Sequence, residues 1–166
     1  MSESTLNKDI TVLVVDDDPL VQKIVEASLM KENYKILFAS DGETGLKMAH
    51  EVCPDLVLLD VVMPGIDGFE VCTRMRKDER LRFTPIIILT ALDDRDSKVQ
   101  GLEAGADDYI CKPFDKLEFR ARVKTVTRLN RTGDCREIEK LSNLLMEKDK
   151  LIEQLNQEII NLKAIL

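Results

Sequence analysis

The chain contains no tryptophan, and aromatic residues make up only 4% of it. A platform on which successive nucleic-acid bases stack is therefore not expected. With one histidine, His50, and four cysteines that form no CxxC pair, Cys53, Cys72, Cys111 and Cys135, a Cys/His zinc site lacks its ligands. The cysteine usage instead fits buried thiols in a reducing cytoplasm. A basic excess is also missing. Against 31 Asp and Glu stand 24 Lys and Arg, a net charge of −7, which speaks against gripping nucleic acid through its phosphates and against a polybasic membrane anchor. No apolar run approaches the roughly 20 residues of a membrane-spanning helix. Met1–Asp9 is polar and lacks the basic-then-apolar order of a signal peptide. Glycine and proline are absent from Asp134 to Leu166.

What is present is enough for a core. The apolar fraction is 44% over 166 residues, the length of one domain with a remainder. Up to about residue 128, short apolar runs alternate with amphipathic stretches. Ile10–Val15 ends abruptly in Asp16, Asp17, Asp18 and Pro19. Tyr34–Ala39, Leu56–Leu59, Pro85–Leu89 and Ala106–Cys111 are the other strand candidates; the third ends on Asp60, the fourth at Thr90, and the fifth runs into Lys112-Pro113. Between them, helical spacing covers Pro19–Lys31, Gly42–His50, about Asp67–Arg76 and about Asp93–Glu103, with a further helix starting near Asp115. Asp18 is expected to cap the first helix with Pro19 at its first position, and Gly105 to stop the fourth. Five strands alternating with five helices predict an α/β fold: a doubly wound, five-stranded parallel sheet covered on both faces. Its chemistry belongs beyond the carboxyl ends of the strands.

Those ends carry Asp16, Asp17, Asp60, Thr90 and Lys112. Three carboxylates in one crevice repel one another unless a cation sits among them. Oxygen ligands suit a hard ion such as Mg²⁺, often completed by phosphate. A hydroxyl and an ammonium facing the cluster complete a phosphoryl cradle, and an aspartate can itself be the nucleophile of an acyl phosphate. Taken singly, Asp16 or Asp17 could be a helix cap, Asp60 a solvated strand-end acid, Thr90 an ordinary strand residue, Lys112 a turn lysine and Tyr109 a half-buried edge aromatic. His50, near a helix end, has the place of a dipole-compensating cation rather than a catalytic group.

The ordered set Val15-Asp16-Asp17, Leu58-Leu59-Asp60-Val61-Val62-Met63-Pro64-Gly65, Thr90-Ala91 and Tyr109 through Lys112-Pro113-Phe114 resembles the receiver domain of two-component response regulators. The resemblance covers about residues 8–128. It implies a cytoplasmic, flavodoxin-like receiver with strand order 2-1-3-4-5, a switch rather than an enzyme. By the same resemblance Asp60 is the phosphoacceptor, served by a histidine kinase or phosphotransfer protein. Asp17 and Asp60 bind Mg²⁺ directly, the Val62 backbone carbonyl completes the protein ligands, and Asp16 acts through water. Thr90 and Lys112 hold the phosphoryl oxygens, and Tyr109 is the aromatic switch that turns inward with Thr90. Positions two past Asp60 and two past Thr90, which in this family influence attack by water, are Val62 and Leu92. Neither side chain can orient a water, so self-dephosphorylation is expected to be slow.

Two rivals come from other classes. The Asp16-x-Asp18 spacing suggests an aspartyl-phosphate phosphatase, but that motif continues with Gly-Thr and here Pro19-Leu20 follow. A vestigial pocket on a pure interaction module is the other.

Residues 129–166 form a second segment. Leu141, Leu145, Lys148, Ile152, Leu155, Ile159, Leu162 and Leu166 recur at alternating steps of four and three, a heptad seam. Leu145, Ile152, Ile159 and Leu166 take the a positions, with Ile138 extending them backward; Leu141, Lys148, Leu155 and Leu162 take d. Leu144, Leu151 and Ile165 widen the stripe at g. This predicts a long helix in a parallel two-stranded coiled coil, with Lys148 fixing register; a helix packed back on its own receiver is the alternative. The segment holds six basic and seven acidic residues, so a basic DNA-reading region is unsupported. Its apolar, uncapped last turn suggests a receiver and signalling helix cut from a longer protein before its effector.

Overall fold

The computed structural model describes residues 9–132 and 135–165, leaving aside the side chains of residues 129–140 and 142. The chain divides into two compact units between Asn130 and Arg131.

In the first unit the strands are β1 (Ile10–Val15), β2 (Tyr34–Ala39), β3 (Leu56–Leu59), β4 (Ile86–Thr90) and β5 (Asp108–Cys111). They form one parallel sheet, as the alternation of apolar runs predicts, in the order β2-β1-β3-β4-β5 that the resemblance implies. The helices between them are α1 (Pro19–Leu29), α2 (Gly42–Val52), α3 (Gly68–Lys77) and α4 (Arg95–Glu103), and α5 (Lys116–Thr132) follows the last strand. Strand residues point alternately to the two faces, which is why the central strands are apolar throughout. Leu13, Val15, Val57, Leu59, Ile86 and Ile88 pack with Ala49 of α2 and Phe69, Val71, Cys72 and Met75 of α3. Val12, Val14, Leu56, Leu58, Ile87, Leu89 and Ile110 pack on the other face with Val25 and Leu29 of α1 and Phe119 and Val123 of α5. Each buried valine, leucine, isoleucine, phenylalanine or methionine among them stabilises the fold by about 1.5–3 kcal/mol on leaving water.

Helix starts follow the local chemistry. Asp18 caps α1 by accepting from the Leu20 N–H, with Pro19 at the first helical position. Asp41, Asp67 and Asp94 cap α2, α3 and α4 in the same way. Gly105, at φ +103°, turns the chain after α4 in a conformation other residues rarely adopt. Most boundaries lie within one or two residues of expectation, and two of the shifts have a visible cause. The fourth helix begins at Arg95 because the Asp94 side chain accepts from the Ser97 N–H and so lies outside it. The fifth strand begins at Asp108 rather than Ala106, the Ala106 N–H bonding back to the Gly101 carbonyl to close the turn after α4.

At the amino ends of the strands one side chain gathers several segments. From α3, Arg76 donates to the carbonyls of Gly105 (2.8 Å), Thr84 (2.8 Å) and Arg82 (3.2 Å) and to Asp107 Oδ2 (3.0 Å). The same Asp107 oxygen accepts from the Ile86 N–H at 2.8 Å. The thiols also differ from expectation: Cys72 is buried, which pushes its pKa up to about 11, but Cys53 and Cys111 are half-buried. Both sit where an element ends, Cys53 on the left-handed cap of α2 and Cys111 on the last residue of β5, so core packing covers only part of each.

The second unit contains one long helix, α6 (Cys135–Ile165). Along it Leu141, Leu145, Ile152, Leu155, Ile159 and Leu162 are exposed, between 46% and 62% of their surface. Lys148 is exposed as well. Leu166 and the Ile138 side chain lie outside the described residues. Among the described residues no helix is long and apolar enough to cross a membrane.

Candidate functional site

Asp16 is the first residue past β1. Its N–H donates to the Ala39 carbonyl (3.0 Å), and its Oδ1 accepts from the Asp18 N–H (2.9 Å), folding the acidic turn over the strand end. The side chain is 2% exposed, whereas Asp17 beside it is exposed. Asp60 holds the equivalent place after β3. Its N–H donates to the Val15 carbonyl, fixing it beside the acidic turn, and its Oδ1 accepts from the N–H of Val61 (2.8 Å) and of Val62 (3.4 Å).

Lys112 follows β5 and precedes a cis bond to Pro113. Its Nζ lies 2.6 Å from Asp16 Oδ2 and 3.2 Å from Asp60 Oδ2, so one ammonium bridges two buried carboxylates. The Lys112 N–H donates to the Thr90 carbonyl at 2.8 Å, tying the end of β5 to that of β4. Burial pushes the Asp16 carboxyl above its usual range; Lys112 and the Asp18 N–H pull it down, and the Asp60 charge pushes it up again. Three carboxylates against the one Lys112 ammonium leave the pocket with a formal excess of negative charge.

Asp16, Asp17 and Asp60 each offer a carboxylate oxygen, all within 4.8 Å of one another. Such a donor set fits a hard divalent cation of the Mg²⁺ kind. Thr90, fully buried at the end of β4, has an Oγ1 with no hydrogen-bond partner, the one buried side-chain polar atom so left among the described residues. A buried hydroxyl without a partner costs about 1–3 kcal/mol. It suits a pocket that receives an oxygen-bearing group.

Tyr109, on β5, bonds elsewhere. Its hydroxyl donates to the Leu92 carbonyl at 2.8 Å, its ring is half-buried, and burial above all pushes its phenol up to about 12. Of the residues expected to govern water, Val62 is 60% exposed and Leu92 is tucked against the core. The seam residues of α6 belong to the other unit.

Two contributors escaped sequence reasoning. Gly68 opens α3 directly behind Asp60: a Cβ there would lie 2.2 Å from the Asp60 carbonyl oxygen and 2.8 Å from Val61 Cα. Without a side chain, α3 comes close enough for the Gly68 N–H to bond the Val61 carbonyl at 3.0 Å. The other is the Leu92 carbonyl, since a backbone acceptor leaves no trace in residue type.

Comparisons with known proteins agree with this geometry. The family model for the response regulator receiver domain matches residues 12–124. Response regulator PleD of Caulobacter vibrioides is 46% identical over 117 residues, which are 70% of this chain and 26% of that protein. The chain spans between about a quarter and a little over half the length of the curated relatives it matches. Among solved structures, the receiver domain of Francisella response regulator 1452 superposes with a TM-score of 0.68 at 32% identity, covering 74% of this chain and 99% of that one. The receiver domain of the sensor histidine kinase PA1611 from Pseudomonas aeruginosa, which has a magnesium ion coordinated in its active-site cleft, gives 0.67 at 30% identity, covering 72% and 98%. Sheet order, strand-end carboxylates and family model coincide over the same stretch, and this chain belongs to the response regulator receiver domain family.

Proposed function

We propose that residues 1–128 form a receiver that takes a phosphoryl group onto Asp60 from a phosphohistidine of a histidine kinase or phosphotransfer protein, or from a small acyl phosphate. The supporting observation is the pocket itself, where three carboxylates converge beside the bridging Lys112 and a buried Thr90 hydroxyl lacks a partner. An Asp60 carboxylate oxygen attacks phosphorus; the new O–P bond replaces the P–N bond of the donor, and the released imidazole takes up a proton. Asp17, Asp60 and the Val62 carbonyl would hold Mg²⁺, with Asp16 acting through water; when bound, the ion neutralises the carboxylates and polarises the phosphoryl oxygens. Lys112 pairs with one phosphoryl oxygen, and the Thr90 hydroxyl donates to another.

The chain acts as a switch, not a turnover enzyme, and works in the cytoplasm without contacting nucleic acid or membrane itself. Movement of Thr90 toward the phosphoryl group favours the arrangement in which Tyr109 is turned in, biasing a two-state α4–β5–α5 face. Residues 129–166 pass that change on as a parallel two-stranded coil of α6, with Leu141, Leu145, Ile152, Leu155, Ile159 and Leu162 in its seam, to an effector.

Incubation with acetyl phosphate and Mg²⁺ tests the pocket. One phosphoryl group per chain should be gained, be released by hydroxylamine as an acyl phosphate is, and fail to form with chelator present. An unlabelled chain would remove the phosphoacceptor reading and favour a vestigial pocket. Because neither Val62 nor Leu92 can orient a water, the purified phosphorylated protein should lose its label slowly, over many minutes or longer. Decay within seconds, followed by phosphate release, would contradict that.

A further inference from the structure

Only one residue of α4 is buried, and it is a glycine, Gly101. Glycine is the poorest helix former apart from proline, so its place inside the last turn of a nine-residue helix calls for a reason in space. A Cβ on Gly101 would lie 2.9 Å from Ile88 Cδ1 on β4, and 3.1 and 3.2 Å from Cδ2 and Cε2 of Tyr109 on β5. The Ile88 atom is the tip of a flexible chain and can move aside. The Tyr109 ring cannot do so freely, because its hydroxyl is tied to the Leu92 carbonyl at 2.8 Å. With the ring between β5 and the bare backbone of α4, the helix rests on the sheet through this contact, while Val99 and Leu102 of α4 face solvent at 45% and 54% exposure.

We propose that Gly101 is a positioning residue: it clears the space that admits the Tyr109 ring beneath α4, and so makes the seating of α4 depend on the rotamer of Tyr109. A larger side chain at this position and the Leu92-bound ring compete for one volume. If Tyr109 swings out, the ring that supports α4 goes with it, and the exposed face carrying Val99 and Leu102 is remodelled. The regulatory meaning of this contact rests on Tyr109 being the switch of the receiver; the steric exclusion does not.

The chain has two tyrosines and no tryptophan, so phenolate absorbance reads the ring directly once Tyr34 is replaced by phenylalanine. Cys111, Asp94, Lys98 and Asp93 are the ionisable groups facing the Tyr109 phenol, and burial is the largest cause of its raised pKa of about 12. After a stopped-flow jump to pH 11, read before any unfolding, Tyr34→Phe should show about a tenth of Tyr109 as phenolate, given a pKa of about 12. In Tyr34→Phe/Gly101→Val the ring is expelled and its pKa returns toward the usual value of about 10, so the fraction should rise nearly tenfold. An unchanged fraction overturns the proposal. A second cycle guards against a valine variant that folds badly. Gly101→Ala should raise the melting temperature by about 3–5 °C in a Tyr109→Ala background, through helix propensity. With Tyr109 present it should give no gain. Equal gains in the two backgrounds would likewise overturn the proposal. No phosphoryl donor or Mg²⁺ enters either measurement, so failure here is separate from failure of Asp60 as acceptor.

Discussion

Asp60→Asn and Asp60→Ala should each leave the chain unlabelled by acetyl phosphate and Mg²⁺, a fall of at least about 10³-fold in labelling rate, as expected when a nucleophile is removed. The two variants separate loss of chemistry from loss of fold. In Asp60→Asn the side-chain carbonyl can still accept the Val61 and Val62 N–H bonds, while one of three mutually repelling negative charges disappears. Its melting temperature should therefore equal or exceed that of the parent. Asp60→Ala leaves the Val61 N–H without its acceptor in a buried turn, a penalty of about 1–3 kcal/mol, and should melt lower. Labelling of Asp60→Asn at the parental rate would move the acceptor to another carboxylate. Lys112 supplies the contrasting control. In Lys112→Ala the 2% exposed Asp16 loses the ammonium 2.6 Å away, so the variant should be both unlabelled and destabilised, and its melting temperature should respond more steeply to added Mg²⁺ than that of the parent. Melting curves across a Mg²⁺ titration would check this.

Leu155→Asp should convert a dimer to a monomer in sedimentation. Leu155, at a central d position, is 49% exposed on the single helix, within a stripe that includes Ile152 and Ile159. In a parallel coil every seam residue is buried twice, once per chain, and each leucine gains about 1.5–3 kcal/mol on leaving water. Substituting both copies therefore costs at least about 3 kcal/mol, or a factor of more than about 10² in the dimer dissociation constant. Lys148→Leu should act in the opposite direction, because it replaces a pair of facing d-position ammonium groups by apolar contact. Asp149 follows at e, where in a parallel pair it lies beside the partner's d residue, so Lys148 is compensated without being favourable. Unchanged masses for both variants over a concentration series would exclude this seam as a dimer interface.

Much of the receiver was legible in the sequence because its signals are redundant. The runs at Val12–Val15, Leu56–Leu59 and Ile86–Leu89 are apolar at every position, a pattern a two-faced parallel sheet requires. Each ends on a polar residue that the topology delivers to one edge. Asp18, with Pro19 after it, marked the start of α1 in the same local way. What escaped notice depends on distance in sequence. The bridge from Lys112 to Asp16 spans 96 residues, and nothing in Lys112-Pro113 specifies its partner. Gly68 and Gly101 look like ordinary weak points of helices until the Asp60 carbonyl and the Tyr109 ring appear in the space a side chain would fill. Ala106 has the composition of a strand residue, but its N–H is already engaged by the Gly101 carbonyl, so β5 starts only at Asp108.

The guanidinium of Arg76 gives α4 a fulcrum. It grips the Gly105 and Thr84 carbonyls and Asp107, at the end of α4 remote from the strand-end carboxylates. The opposite end of α4 follows the short segment after Thr90 and is held by the Asp94 cap, while the Tyr109 ring lies against Gly101, in the last turn of the helix. A rod pinned at one end, with a movable stop close to the pin, swings most at its far end, as a lever does. If Tyr109 follows Thr90 as proposed, a shift of a fraction of an ångström there should become a tilt of the outer face of α4, largest at its first turn and vanishing toward Gly105.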